Sequence, residues 1–247
     1  TLRRCGFAGV EISVLSNGGT TGSSIQHVSL QDLEITDTGK GWSGRRYGSE
    51  GHGVRIQADA GAGYIDQISL ERVVVSGAAG DGVHIFGETG NVNITQSSLH
   101  GGDMDGVYFA GTDAETPHLH VDTSLIWGNA GNGLTFNCPT CQGFSLLHNS
   151  WVDNAIQIAV FGQRGEGQLV NNLFFGGATA THLYVQATLA GADVDHNCYS
   201  PSALAFGYDN EAYASVTAFF NATGLGENST DAGPVGLQDA SQGALSL

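Results

Sequence analysis

A short repeated pattern constrains the fold of this chain more than any other feature. In each copy a small or polar residue precedes Gly, and two apolar residues with one residue between them follow, as in Asp-Gly-Val-His-Ile at 81–85. Clear copies begin at Ala8, His52, Asp81, Asp105 and Asn132, and degenerate copies begin at Asn154 and Thr181. Apolar and polar residues alternate with a period of two within each copy, which predicts short half-buried β-strands.

A second pattern alternates with the first and consists of two apolar residues five positions apart. The pairs are Leu2/Phe7, Leu30/Ile35, Leu70/Val75, Ile94/Leu99, Val121/Ile126, Leu146/Trp151, Leu169/Phe174 and Val194/Tyr199. Together the two patterns define eight units of roughly 25 residues. Gly, at 38 of 247 residues, and Asn separate the strands and supply left-handed conformations at tight corners. Short strands at a fixed repeat predict a β-solenoid.

One position between the two apolar residues of each pair becomes polar along the chain. It is occupied by Ser97, Ser124, Asn149, Asn172 and Asn197. Coils of a solenoid stack about 4.8 Å apart, so equivalent residues form columns. We expect these residues to form an inward ladder in which stacked amides hydrogen-bond to one another.

The repeats resemble those of right-handed parallel β-helix proteins of the pectin-lyase-like superfamily over about residues 1–206. The resemblance implies an all-β, single-stranded right-handed parallel β-helix of about eight coils over 1–206. An irregular C-terminal cap would follow over 207–247, with a short helix N-capped by Ser215. Because Leu2 already falls within a coil, we expect an upstream domain or a partner chain to cover the N-terminal coil. The superfamily includes polysaccharide lyases, epimerases, glycoside hydrolases and non-catalytic adhesins and tailspikes, so a polysaccharide is the expected partner.

The composition excludes several classes of partner. A net charge of −16 argues against a nucleic-acid binder, and no apolar run approaches the roughly 20 residues of a membrane helix. The chain opens at Thr1 without a signal-like segment, which indicates a mature or trimmed form. A single Lys and high acidity favour an extracellular or periplasmic protein.

The cysteines and one histidine pair give weaker signals. Cys138 and Cys141 form a CxxC that predicts either a local disulfide or two idle thiols, because no βαβ pattern or second ligand pair supports a redox or zinc site. His118 and His120 have strand spacing and are expected to share one face, which is too little for a metal site.

The strongest functional signal lies in two neighbouring columns of the first pattern. The expected outward column is Glu11, Arg55, His84, Tyr108, Thr135, Gln157 and Tyr184, and the column before each Gly is Ala8, His52, Asp81, Asp105, Asn132, Asn154 and Thr181. Three successive coils place six ionisable or polar groups on roughly 10 Å of sheet. The alternative is that these are ordinary polar surface residues, since Asp before Gly also suits a turn.

An insertion of about 11 residues between Thr38 and Gly51 is expected beside these columns. Aromatic faces stack on sugar rings, and Arg pairs with carboxylates. The substrate-binding candidates are therefore Lys40, Trp42, Arg45, Arg46, Tyr47 and His52. The alternative is a loop that only packs its Trp on the side of the solenoid.

Two chemistries fit the candidate catalytic residues Arg55, Asp81, His84, Asp105 and Tyr108. In β-elimination from a uronate, Arg55 neutralises the carboxylate, His84 is the base and Tyr108 the acid. Asp81 and Asp105, together with Asp103, would orient His84 or bind Ca²⁺ as a cofactor. In hydrolysis, Asp81 and Asp105 would form a carboxylate pair about 5 Å apart, as in retaining enzymes.

The preferred interpretation is a secreted lyase or epimerase acting on a uronate-containing glycan. A β-helix glycoside hydrolase and a non-catalytic adhesin, tailspike-like or glycan-binding module are the alternatives. Gly51-His52-Gly53 resembles the Gly-His-Gly of polygalacturonase-type hydrolases, although there it follows the paired Asp residues and here it precedes Asp81. Asp105-Gly106 resembles the Asp-Gly strand of mannuronan epimerases, but the Tyr-Gly-x-Asp-Pro-His signature of that family is absent.

Overall fold

The computed structural model describes most of the repeat region. The described residues are 2–3, 8–14, 23–39, 51–111, 118–139, 141, 143–162, 166–177, 179–186, 189, 191–200, 202 and 205–231. Within them the chain winds through three sheets in turn, so that strands pair in parallel with their equivalents in the next coil. The exception is the antiparallel pair of Phe206–Tyr208 with Glu211–Tyr213. The fold is an all-β parallel solenoid, as the repeat predicts.

The three sheets are called A, B and C. Sheet A contains Leu2–Arg3, Glu34–Thr36, Val74–Ser76, Ser98–His100, Leu125–Trp127, Ser150–Val152, Leu173–Phe175, Cys198–Tyr199 and Thr230–Asp231. Sheet B contains Ala8–Val14, His52–Ala58, Val83–Gly87, Val107–Gly111, Leu134–Asn137, Ile156–Phe161, Thr181–Val185, Phe206–Tyr208 and Glu211–Tyr213. Sheet C contains Ser23–Gln31, Gly63–Glu71, Val92–Thr95, His118–Asp122, Gly143–Leu147, Glu166–Val170 and Asp193–Asp195.

The core lies between the three sheets and is built from the predicted apolar columns. Equivalent residues stack along it, for example Phe109 on Phe136 with ring centroids 5.0 Å apart, and Phe174 on Tyr199 at 4.7 Å. Because each inward position repeats from coil to coil, the core continues along the solenoid as one cluster. No helix among the described residues is long and apolar enough to cross a membrane.

The inward ladder at the corner between sheets C and A is confirmed. The Asn149 backbone N–H donates to Asn172 Oδ1 at 2.9 Å, and the Asn172 N–H donates in the same way to Asn197 Oδ1 at 2.9 Å. Ser124 and Ser97 continue the column toward the N-terminus through their hydroxyl groups. The ladder satisfies buried backbone donors that the corner would otherwise leave unpaired.

The residue before each of the five ladder positions, and the residues at the equivalent corners before Leu33 and Val73, adopt the left-handed conformation, with φ between 51° and 57°. These corner residues are Asp32, Arg72, Gln96, Thr123, His148, Asn171 and His196. The expectation that Gly and Asn supply such corners is therefore wrong here, since none is Gly and Asn occurs once among them. The first six of these residues still donate their N–H to a carbonyl of the next coil, as Thr123 does to Leu147 at 3.1 Å. This bond and the ladder hold an otherwise unfavourable conformation.

The register differs from the sequence interpretation at the N-terminus. Leu2 pairs with Ile35 in sheet A, whereas the five-residue spacing had aligned it with Leu30 and had aligned Phe7 with Ile35. Both alignments place an apolar residue opposite an apolar residue, so the spacing could not distinguish them.

A second difference is a shift of two residues at the strand Ile156–Phe161. Leu134 pairs with Ile158 rather than Ile156, so Ala159 lies opposite Thr135. Gln157, expected to face outward in the site column, is fully buried. Asn154 stacks instead on Asn129, whose amide donates to Asn154 Oδ1 at 2.9 Å, and starts a second inward ladder. A two-residue shift preserves the period of two, which is why the pattern did not reveal it.

The C-terminal segment contains the predicted helix, Val216–Thr223, with Ser215 as N-cap accepting from the Ala218 N–H at 3.2 Å. Strands Phe206–Tyr208 and Thr230–Asp231 still pair in parallel with sheets B and A, so part of the expected cap extends the sheets. The count of about eight coils is not confirmed, because sheets A and B each have nine strands in the described chain and sheet C has seven.

Cys138 and Cys141 form a disulfide at the corner between sheets B and C, with Cα atoms 5.3 Å apart. Both residues are buried, and the Cys138 sulfur lies 3.2 Å from the Gly111 carbonyl oxygen of the preceding coil. The sequence left a local disulfide and two idle thiols open, and the structure has the disulfide. It closes the corner beside the end of the strand Val107–Gly111.

Candidate functional site

The Gly of the first pattern brings successive coils close together at the start of sheet B. A Cβ on Gly82 would lie 2.6 Å from the Gly106 carbonyl oxygen, and one on Gly53 would collide with Val75. Gly is therefore required where the backbones approach most closely. The residue before it stands at the entrance of each strand, which stacks His52, Asp81 and Asp105 in one column.

Asp81 is the centre of the site and is only 2% exposed. Its Oδ2 lies 2.7 Å from His84 Nδ1, and its Oδ1 accepts the Asp105 backbone N–H at 3.1 Å. Both carboxylate oxygens therefore act as acceptors. Because a carboxylate can only accept, the proton of a neutral His84 lies on Nδ1 and the lone pair on Nε2.

His52 lies behind this pair and is fully buried. Its Nδ1 accepts the Asp81 backbone N–H at 2.9 Å, which places the proton of a neutral ring on Nε2. Its Nδ1 is also 3.4 Å from Asp81 Oδ2, but two acceptors do not make a hydrogen bond. The ring stacks on His84 with centroids 4.3 Å apart. This burial argues against the expected contact of His52 with substrate.

The outward column predicted from Glu11 to Thr135 is present in sheet B. Arg55 pairs in register with His84, and His84 with Tyr108, on three neighbouring strands. The rings of His84 and Tyr108 are stacked, with centroids 5.1 Å apart and planes within 9°. The Arg55 Nη1 lies 3.9 Å from Glu11 Oε1, and its Nη2 donates to Gln57 Oε1. A cation, an imidazole and a phenol thus stand side by side.

Asp105 occupies the next coil beside this column. Its Oδ1 accepts the Asn132 backbone N–H at 2.7 Å. Burial raises the pKa of its carboxyl, and the negative charge of Asp81 adds to this, while bonds from Thr135 and Asn132 oppose it. A carboxyl group with a raised pKa holds its proton to higher pH, which suits a general acid.

In the described part of the chain, one group of side chains could bind a metal ion, and it consists of His52, Asp81 and His84. Their ligand atoms lie within 4.8 Å of one another, but His52 Nδ1, Asp81 Oδ2 and His84 Nδ1 already hydrogen-bond within the group. Asp103 is exposed, whereas Asp81 is buried. The Ca²⁺ site expected at Asp81, Asp103 and Asp105 stays a prediction, and it would have to displace these bonds.

Two sets of residues singled out in the sequence remain to be placed. Lys40, Trp42, Arg45, Arg46 and Tyr47 lie outside the described residues. His118 and His120 do share the outer face of sheet C, where burial and then the charge of His120 lower the pKa of His118.

The sequence interpretation missed Phe86, which lies two residues after His84 on the same face and is 43% exposed. An apolar residue at an outward position was the signal that could have found it.

Comparison with protein families fits this architecture. Residues 12–198, well over half of the chain, match the family described as "Right handed beta helix region". The chain belongs to the right-handed β-helix family. No curated protein and no solved structure gives a significant match to this β-helix protein. Family membership therefore establishes the fold, and the reaction must be argued from the side chains of sheet B.

Proposed function

We propose that this β-helix protein is a pectin-lyase-like, polysaccharide-processing enzyme that removes the C-5 proton of a uronate as a lyase or an epimerase. The observation that carries the proposal is the 2.7 Å contact between Asp81 and His84 in a column flanked by Arg55 and Tyr108. A buried carboxylate that fixes an imidazole in one tautomer is how proteins prepare a histidine as a general base.

The chemistry assigns one role to each group. His84 Nε2 takes the C-5 proton, and the positive charge of Arg55 stabilises the electron pair delocalised into the uronate carboxylate. In a lyase this pair forms the C4–C5 double bond while the C4–O bond breaks, and the Tyr108 hydroxyl donates a proton to the leaving oxygen. In an epimerase a water molecule on the solvent side of the sugar instead returns a proton to the opposite face of C-5, because His84 and Tyr108 lie on the same side of the sugar. The hydroxide left behind is neutralised by the proton that His84 releases to solvent. Asp81 holds His84 and does not touch substrate.

Hydrolysis is the second candidate, and the raised pKa of Asp105 is what favours it. Asp105 would protonate the glycosidic oxygen, and Asp81 would be its partner as nucleophile or base. The burial of Asp81 and the use of both its oxygens as acceptors make it a poor nucleophile. We therefore place hydrolysis second.

The test is incubation with uronate polymers in deuterated water. We use polygalacturonate, alginate and β-1,4-linked glucuronan, and follow the ultraviolet absorbance of unsaturated ends together with deuterium at C-5 by NMR. A lyase yields unsaturated ends, whereas an epimerase incorporates deuterium without cleavage. His84→Ala should abolish either signal, and His120→Ala, a half-buried histidine on the outer face of sheet C, should retain it.

The other results identify the alternatives. New reducing ends without unsaturation would favour a hydrolase, and binding without turnover would favour an adhesin or another glycan-binding module. Activity that survives His84→Ala in a folded variant would refute the assignment of the base.

An extracellular or periplasmic location is part of the same proposal. The disulfide between Cys138 and Cys141 supports it, because disulfides persist mainly in oxidising compartments. A polymeric substrate outside the cell is also consistent with a site on the open face of a sheet.

A further inference from the structure

We propose that Phe86 and Ala110 form a slot that holds one sugar ring beside the reacting residue, and that the slot selects equatorially linked uronates such as β-1,4-linked glucuronan. The inference rests on the proposed function for the identity of the ligand. Phe86 is one of three large hydrophobic residues that are exposed in the described chain, and it lies two residues from His84 on the same outward face.

The orientation of the aromatic rings defines the slot. His84 and Tyr108 are register partners whose parallel rings are 5.1 Å apart, close to the strand spacing of about 4.8 Å. Their faces therefore point along the solenoid axis. The Phe86 ring lies within 21° of the His84 plane, so its faces point the same way. One face of Phe86 looks toward the coil that carries Ala110.

Ala110 is the register partner of Phe86 on the next strand, is outward-facing and forms the floor. Its small side chain is 7% exposed, as expected of a floor between taller walls. Exposed Asn137, one residue past Phe136, forms the opposite wall on the following strand. Two strand spacings, about 9.5 Å, separate the walls. The plane of a ring midway between them lies about 4.75 Å from each wall, and the pucker of a pyranose chair brings its atoms toward the contact distance of about 3.5–4.0 Å.

The walls restrict the linkage of the sugar in the slot. A pyranose stacked on Phe86 has its plane across the solenoid axis, so axial bonds would run into Phe86 or Asn137. Equatorial bonds stay in the plane and leave along the strand, toward Tyr108 on the same strand. A glycan linked only through equatorial bonds can thus continue from the slot to the acid and base. The axial linkages of α-1,4-linked galacturonan would be excluded.

Calorimetric titration with purified oligosaccharides of β-1,4-linked glucuronate and of α-1,4-linked galacturonate tests the slot. The wild type should prefer the glucuronate oligosaccharide. Phe86→Ala and Ala110→Leu should each weaken its binding about tenfold or more, by removing the stacking face or filling the slot. Phe86→Tyr should bind like the wild type. Phe161→Ala is the matched control, because Phe161 follows Asn137 in the same column outside the slot.

The outcomes separate the slot from the chemistry. Loss of binding in Phe86→Ala, with no turnover by the wild type, would support the slot and refute the lyase or epimerase. Turnover that requires His84 but has an unchanged KM in Phe86→Ala would support the lyase or epimerase and refute the slot. Preference for the galacturonate oligosaccharide, or no binding of either, would overturn the slot. Thermal unfolding of each variant confirms that it is folded.

Discussion

Asp81 shows how one buried side chain can control the chemistry of the site. Its two oxygens accept from different groups, His84 on one side and the Asp105 backbone on the other. An Asn at this position has one acceptor and one donor, so it cannot accept from both groups. When its NH₂ group faces His84, the ring must carry its proton on Nε2, and the base loses its lone pair.

We therefore predict that Asp81→Asn lowers kcat about a thousandfold or more and changes KM little, as when a histidine is held in the wrong tautomer. Initial rates on the active polymer measure both constants. Asp193→Asn is the control, because Asp193 is exposed on sheet C and has no role in the proposed site, so the rates should stay unchanged. Activity within a few-fold of the wild type in folded Asp81→Asn would contradict the role of the pair.

Asp105 allows a prediction on stability and pH. Burial raises the pKa of its carboxyl, so the folded state binds its proton more tightly than the unfolded chain does. The stabilisation is fully present below the ordinary pKa of 3.8 and is lost as pH rises through the higher folded pKa. An amide at this position cannot ionise and can still accept from the Asn132 N–H. Asp105→Asn should therefore raise the melting temperature at pH 7.

The difference should shrink as the pH approaches the ordinary pKa, since the wild-type carboxyl is then protonated as well. Scanning calorimetry of both proteins over this range measures it, with exposed Asp103→Asn as reference. A difference that does not depend on pH would mean that the carboxyl is not destabilised by burial.

The ladder is the element that depends most on complete hydrogen bonding. Asn172 accepts from the Asn149 N–H and amide, and its own amide donates to the Leu146 carbonyl at 2.8 Å and to Asn197. Removing it leaves several buried polar groups unpaired, at about 1–3 kcal/mol for each group.

Asn172→Ala should accordingly lower the free energy of unfolding by about 3 kcal/mol or more. Urea unfolding measures this, and Asn93→Ala on the outer face of sheet C should cost far less. Equal losses of unfolding free energy in both variants would show that the ladder position contributes no more to stability than an outer position of sheet C.

The elements also show where a sequence pattern stops being informative. The ladder could be predicted because polar residues repeat at one inward position among apolar ones, and a column of equivalents follows from coil stacking alone. The strand Ile156–Phe161 could not be placed, because a shift of two residues leaves its alternation intact. Its register is decided by Asn154, which hydrogen-bonds to Asn129 in the preceding coil.

The site was predictable in part for the same reason. The columns of Arg55, His84 and Tyr108 are in the expected register. The sequence could not show that His52 and Asp81 are buried, since burial at a strand entrance depends on how closely Gly53 and Gly82 let the coils approach.

At the scale of the whole molecule, a net charge of −16 sets how stability responds to salt. Like charges repel in the folded state, and the Debye length falls from about 30 Å at 0.01 M salt to about 8 Å at 0.15 M. Adding NaCl over this range should therefore raise the melting temperature. No rise would show that the acidic groups are too far apart to interact.

CaCl₂ at matched ionic strength separates this screening from a specific site. The oxygens of Asp81 already accept from His84 and Asp105, and Asp105 Oδ1 accepts from Asn132, so a calcium ion gains little there. We predict equal melting temperatures in the two salts. An additional, saturable rise with CaCl₂ that disappears in Asp103→Asn would instead establish the calcium site at Asp81, Asp103 and Asp105. A rise that persists in that variant would place the ion elsewhere, because Asp103 is the exposed carboxylate that such a site needs to complete its oxygen ligands.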